Sequence, residues 1–195
     1  MDDFGSDADQ KRNEAWSNFY LHTRGLKLLV SKQAREFNAH KNRVTELHTY
    51  GPKSKRLEFF KALTKEVIKI SIFYNTKELN CIRRMEAIEN SLKHKKYFTL
   101  KDINSSLWVV SAFYSDIAEL KRYCEINVEA IHDMLRKYDA RTKSTTLDKF
   151  FQENVRKRAF YITTTLSEIA SQLAVMLQTL KFKRNLLAAD ANSFS

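Results

Sequence analysis

From Lys53 to Ser195 the chain has neither glycine nor proline; Gly5, Gly25, Gly51 and Pro52 all precede that stretch. Sandwiches and barrels turn often, and their tight turns draw on glycine and proline. With three glycines and one proline among 195 residues, the chain is expected to be all-α and built from long, uninterrupted helices. Gly51-Pro52 is its one strong breaker. Apolar residues make up 43% of the chain, enough for a real core, and the length suits one domain of ordinary size. We expect a single helical domain over 1–185 and a small, polar, flexible tail over 186–195.

Periodicity divides the chain further. A first helix is expected from about Gln10 to Asn38, with Trp16, Phe19, Tyr20, Leu26, Leu29 and Val30 as its apolar residues. A second starts near Lys55 and runs to about Lys95. Its stripe of Phe60, Leu63, Val67, Ile70 and Tyr74 resumes, after a slip of one position, at Cys81, Met85, Ile88 and Leu92. Such a stripe packs against a partner helix, and at about 1.5 Å per residue this helix is on the order of 60 Å long. Tyr97 to Lys101 reads as a short connector. Asn104, Ser105 and Ser106 supply N-cap chemistry for a third helix, whose stripe runs through Leu107, Val110, Tyr114, Ile117, Leu120, Cys124, Val128, Ile131, Leu135 and Tyr138. Two long helices joined by a short connector make an antiparallel hairpin. Shorter helices follow over roughly Leu147–Arg158 and Thr164–Lys183. The expected architecture is an elongated helical bundle on one core.

Several function classes are disfavoured. There is no phosphate loop, nucleophile elbow, HExxH or glycine-rich dinucleotide turn, and carboxylates such as Glu86 and Glu89 fall on solvent faces. We expect no catalytic residues, no cofactor and no enzyme activity. Cys81 and Cys124 sit at apolar positions and read as reduced core residues of a cytoplasmic protein. With five scattered histidines they offer no metal-ligand spacing. No apolar run reaches about 18 residues, the length needed to span a membrane, and the acidic N-terminus is no signal peptide.

The net charge of +11 favours polyanionic partners: nucleic acid, an acidic membrane surface or a small polyphosphate. Binding to specific nucleic acid or to a membrane surface through diffuse basic faces is disfavoured, because the aromatics interleave with the core stripe rather than with the cations. The stretch EINVEAIHDMLRKYDARTK, 125–143, is the informative one. Arg136, Lys137 and Arg141 crowd a helix C-terminus, where cations favour the helix dipole without any ligand. On the first helix Tyr20, Arg24 and Lys27 share a face at i, i+4 and i+7. If the two helices pack side by side, these groups converge on one anion, Arg gripping a phosphate with paired hydrogen bonds, Lys as a point charge and Tyr20 through its hydroxyl.

These residues resemble an SPX domain, the helical module of eukaryotic phosphate-homeostasis proteins. Phe4-Gly5 is similar to the family's opening Met-Lys-Phe-Gly, and Trp16 follows Phe4 by twelve positions, as the family tends to have it. EAWSNFYLHTRGLKLL, 14–29, resembles the Glu-Trp start and its Tyr-Lys-x-Leu-Lys run. FFKALTKEVIKISIFYNTKE, 59–78, is similar to the third block, Phe-Phe-x-x-Leu…Glu-x-x-Lys-x-x-x-Phe-Tyr…Lys-Glu. The stretch 125–143 resembles the closing block, Asn-Tyr-x-Gly-Phe-x-Lys-Ile-Leu-Lys-Lys-x-Asp-Lys. Together these cover most of 1–143.

The resemblance implies two long helices with an N-terminal helical hairpin and smaller C-terminal helices. It also implies a ligand, an inositol polyphosphate or pyrophosphate held by a basic patch, and a partner: an attached transporter, polymerase or regulator that is told the cell's phosphate status. Carried over by position, the site is Lys27, Arg136 and Lys137, with Arg24 in support; Arg141, Lys143 and Tyr20 lie close enough in sequence to add to it. The family's tyrosine before Lys27 is Thr23 here, and cations at three further positions become Asp3, Asp133 and Ala140. A hydrogen bond to a charged group is worth about 1.5–3 kcal/mol, so these changes weaken the implied site. The alternative is an SPX-like protein-interaction scaffold with a degenerate pocket. The expected location is cytoplasmic, or at the cytosolic face of a membrane through a partner or attached domain. The acidic head, Asp2, Asp3, Asp7 and Asp9, is expected beside the basic patch as an internal counter-anion.

Overall fold

The computed structural model describes residues 12–41, 53–95 and 97–193, with side chains for all of these except 36–41, 53–56 and 190–193. Phe4-Gly5, the acidic head and Gly51-Pro52 lie outside the described residues. Every regular element described is helical: a 3₁₀ segment, Glu14–Phe19, then α1 (Thr23–Lys41), α2 (Lys53–Lys93), α3 (Leu100–Thr142), α4 (Leu147–Asn154), α5 (Ala159–Ile162) and α6 (Thr164–Ser193). The all-α expectation is met, and no described helix is long and apolar enough to cross a membrane.

The chain divides into two compact units. One comprises 1–74 and 123–162, the other 75–122 and 163–195. In the first, α2 and α3 run antiparallel. The Phe59 ring stacks on Tyr138 at 4.5 Å and Phe73 lies 4.8 Å from Tyr123. Leu63, Val67, Ile70, Ile131 and Leu135 fill the space between, all fully buried. In the second unit the antiparallel pairing is marked by the ion pair of Arg84 with Asp116 and the stacking of Arg84 over Phe113. Val110, Phe113, Ile117, Leu166 and Leu173 form its core.

Three boundaries depart from the periodicity reading. The first helix is broken. Trp16, Phe19 and Tyr20 reach the aromatic cluster of Phe73 and Tyr123 from a 3₁₀ turn, and Tyr20 is extended (φ −69°, ψ 160°) before α1 begins. The third helix starts earlier than its Asn104–Ser106 reading, at Leu100. Thr99 and Asp102 form a reciprocal cap: the Asp102 N–H donates to Thr99 Oγ1 at 3.2 Å and the Thr99 N–H to Asp102 Oδ2 at 2.9 Å. This is the capping-box pattern with Asp in the acidic position. Hydrogen bonds from Lys95 and then Thr99 hold the Asp102 carboxyl well below the usual carboxylate range. The last helix continues to Ser193, past Lys183. Within the α3 stripe Phe113 is buried and Tyr114 is 41% exposed. Both satisfy helical spacing between Val110 and Ile117, so periodicity alone does not choose. Of the two free cysteines, Cys124 is buried and Cys81 only half-buried.

Candidate functional site

All six candidate residues belong to the first unit, where α1 lies along the C-terminal half of α3. Three contacts fix how. The Leu21 N–H donates to Asn127 Oδ1 at 2.8 Å, Gln33 Nε2 to the Tyr138 hydroxyl at 3.0 Å, and an Arg141 guanidinium nitrogen to Ser31 Oγ at 3.0 Å. The sequence offset between partners stays within 105 to 110, so the two helices run parallel and in step. Arg24 and Lys27 thus stand level with the turns of α3 that carry 129–137.

The entry into α1 is built with care because its backbone leaves regular structure between Phe19 and His22. Four backbone groups there would otherwise lack partners. The Phe19 carbonyl accepts from the Tyr123 hydroxyl at 2.9 Å and the Tyr20 carbonyl from Lys69 Nζ at 2.9 Å. The Leu21 N–H goes to Asn127, as above, and the His22 N–H donates to Glu66 Oε2 at 2.8 Å. Lys69 and Glu66 also pair with each other at 2.6 Å. Burial, with smaller contributions from Cys124, Tyr20 and Glu66, pushes the Tyr123 phenol well above its usual range, which keeps it a neutral donor. Glu66, Lys69 and Asn127 are positioning residues that the sequence reading left without a role. The first two are the Glu-x-x-Lys of the quoted block.

This arrangement corrects one candidate. Tyr20 is 4% exposed, its ring packs 4.9 Å from Tyr123, and its oxygen accepts the Asn13 N–H at 3.1 Å. The expected face of Tyr20, Arg24 and Lys27 required one continuous helix. The break after the 3₁₀ turn rotates Tyr20 into the core.

The remaining candidates fall into two groups. Arg24 and Lys27 are exposed on α1, beside the face that buries Leu26, Val30 and Gln33. Ser31 lies one turn beyond Lys27 on that ridge, so the hydrogen bond from Arg141 carries the α3 cation onto it. Lys137, one turn before Arg141, is also exposed on that edge of α3. Arg136 is about 100° further round the helix. It lines an open cleft of about 570 Å³ with Glu129, His132 and Asp133 of α3 and Phe151 and Arg156 on the α4 side; Arg24, Lys27, Lys137 and Arg141 are not among its lining residues. There its guanidinium lies 3.1 Å from His132 Nδ1 and 3.7 Å from the Asp133 carboxylate. The structure therefore joins Arg141 to the α1 ridge through Ser31, and Arg136 lies in a cleft that the other candidates do not line. Exposed Arg35 extends the α1 ridge, since 24, 27, 31 and 35 recur at spacings of 3, 4 and 4. That spacing was available in the sequence.

The end of α3 is fixed by Asp139. Its carboxylate accepts the Ser144 hydroxyl at 2.6 Å, the Thr146 hydroxyl at 2.7 Å, the Thr146 N–H at 2.9 Å and the Leu147 N–H at 2.8 Å. One side chain thus turns the chain and caps α4. The turn passes through Lys143, whose φ of 51° is left-handed. Partial burial raises the Asp139 carboxyl, and the bonds from Ser144, Thr146 and Leu147 outweigh it and hold the group below its ordinary value.

Among known structures, the chain superposes on the SPX domain of Chaetomium thermophilum glycerophosphodiester phosphodiesterase 1, solved with inositol hexakisphosphate. The TM-score is 0.75 at 20% identity, over 92% of this chain and 99% of that one. The chain has the fold of an SPX domain. Sequence comparison agrees: SPX domain-containing protein 2 of Arabidopsis thaliana is 26% identical over 132 residues, 68% of this chain and 45% of that protein. The ankyrin repeat protein nuc-2 of Neurospora crassa is 26% identical over 134 residues, 63% of this chain and 12% of that protein. The chain thus spans less than half the length of either relative. No family model matches it. Within this SPX fold, the described residues hold no group of three His, Cys, Asp or Glu side chains placed to bind a metal ion.

Proposed function

We propose that the chain is a cytosolic regulatory module that binds inositol polyphosphates or pyrophosphates on the ridge shared by α1 and the end of α3, and so reports phosphate status to a protein partner or attached domain. The observation that carries this reading is the Arg141–Ser31 hydrogen bond. It brings the last cation of α3 to the ridge of Arg24 and Lys27, one turn from Lys137. A compact polyanion suits a ridge of mixed Arg and Lys, where Arg grips oxygens in pairs and Lys adjusts to ligand shape. The SPX relative solved with inositol hexakisphosphate supports the choice of ligand class.

Calorimetry with inositol hexakisphosphate and with inorganic phosphate tests the reading. Wild type is expected to bind the polyphosphate weakly but measurably, and Lys137→Ala severalfold less tightly. A second reading, a protein-interaction scaffold with a decayed pocket, is favoured by the engagement of Arg136 with Asp133. Millimolar affinity, or equal affinity for any polyanion of like charge, would select the scaffold.

A further inference from the structure

The second unit carries exposed apolar and aromatic side chains where α2 turns into α3. Tyr97 is 82% exposed and Leu100 42%; on α6, Phe182 is 65% and Leu186 50% exposed. Phe182 and Leu186 lie one turn apart and point away from the buried α6 residues Leu173 and Leu180. Lys183 joins the two segments, its ammonium 5.0 Å from the Phe98 ring, which Lys95 also approaches at 5.9 Å. Lys93, Lys95, Lys181, Lys183 and Arg184 are all exposed in these segments, with Lys95 paired to Asp102 and Lys93 to Glu89. The sequence argument against a surface-binding role was that aromatics keep to the core stripe. At this end of the unit they do not.

We propose that this end of the second unit docks on an anionic lipid surface, with Phe182, Leu186 and Tyr97 entering the headgroup–acyl boundary and the surrounding lysines meeting lipid phosphates. The chemistry separates this occupant from two others. Protein interfaces are depleted in lysine, whereas a lipid headgroup layer attracts it. Single-stranded nucleic acid wants flat rings for stacking, and Leu100 and Leu186 offer none. Tyrosine is enriched where membrane meets water, and cations beside exposed apolar side chains are drawn to an anionic headgroup layer. These residues belong to the second unit and the α1 ridge to the first, so the proposal does not rest on inositol phosphate binding.

The test is co-sedimentation of the full chain with phosphatidylcholine vesicles, with and without phosphatidylserine. We compare wild type with Phe182→Ser/Leu186→Ser, Lys183→Glu/Arg184→Glu and Lys137→Ala. All of these side chains are exposed, and circular dichroism checks folding. Wild type is expected to sediment only when phosphatidylserine is present. Each cation near an anionic surface strengthens binding roughly fivefold, so the charge-reversed pair should lose at least tenfold. The serine pair should lose severalfold, and Lys137→Ala should match wild type. Absence of phosphatidylserine-dependent sedimentation overturns the proposal. So does full binding by the serine pair, or a loss in Lys137→Ala equal to that of the charge reversal. Tighter binding to a single-stranded oligonucleotide than to the vesicles would instead assign the surface to nucleic acid.

Discussion

Asn127, fully buried on α3, holds the Leu21 N–H on its side-chain oxygen at 2.8 Å while its amide nitrogen donates to the Tyr123 carbonyl at 2.8 Å. The second bond fixes the orientation of the first. The entry into α1, and with it the level of Arg24 and Lys27, is thereby tied to α3. Asn127→Leu should leave the Leu21 N–H buried without an acceptor, a cost of about 1–3 kcal/mol. Urea denaturation measures it as a lower midpoint with an unchanged slope. An unaltered midpoint would show that the amide is not holding this junction.

The split of the candidate cations makes a ranking. Lys137→Ala and Lys27→Ala should each weaken inositol hexakisphosphate binding severalfold, up to the roughly tenfold worth of one charge-assisted contact. Arg136→Ala should cost less than threefold, because Arg136 lies in the cleft beside His132 and Asp133 rather than on the α1 ridge. Titration calorimetry on the three variants decides it. A loss for Arg136→Ala equal to that for Lys137→Ala would place the ligand on the other edge of α3.

Asp133 puts a negative charge one turn from Lys137. Its pairing with Arg136 at 3.7 Å is half-exposed, so solvent screens it and it contributes little to stability. Asp133→Asn should therefore leave the melting temperature within a degree or two and raise polyphosphate affinity about two- to fivefold at low salt. The gain should shrink once the Debye length falls to roughly 10 Å or less. Affinity unaffected at low ionic strength would mean that the ligand does not sense this face.

The helical class was legible because glycine and proline are nearly absent, and the α2 and α3 stripes were legible because a 3.6-residue period leaves its mark on 40 residues at a time. The break at Tyr20 was not. Trp16, Phe19 and Tyr20 fit a helical stripe as well as they fit a 3₁₀ turn, and the groups that stabilise the break, Glu66, Lys69, Tyr123 and Asn127, lie more than 40 residues away in sequence. The same limit applies to the site. Spacing put Arg24 with Lys27 and Arg136 with Lys137, but only the packing of α1 along one edge of α3 separates Arg136 from its neighbour. Arg35 was missed although its spacing was visible. Asp139 was present in the resemblance to the closing block, yet its task, capping the next helix, appears only when Thr146 and Leu147 come within 3 Å of its carboxylate.

Asp139 also gives a pH signature with a definite sign. Its carboxyl is held below its ordinary value because bonds from Ser144, Thr146 and Leu147 favour the charged form more than partial burial disfavours it. A group with a depressed folded-state pKa contributes stability above its unfolded-state pKa, near 4, and loses it as pH falls through the folded value. Wild type should therefore lose this contribution below about pH 4. Asp139→Asn keeps an acceptor but no charge, so it should be less stable than wild type at pH 7 by about 1 kcal/mol, the usual worth of a helix cap. The difference should close in acid, where the wild-type carboxyl is protonated too. Urea midpoints for both proteins at pH 7, 5 and 3 give the test. A constant gap across the three would mean that shape, not charge, is what the Thr146–Leu147 turn requires.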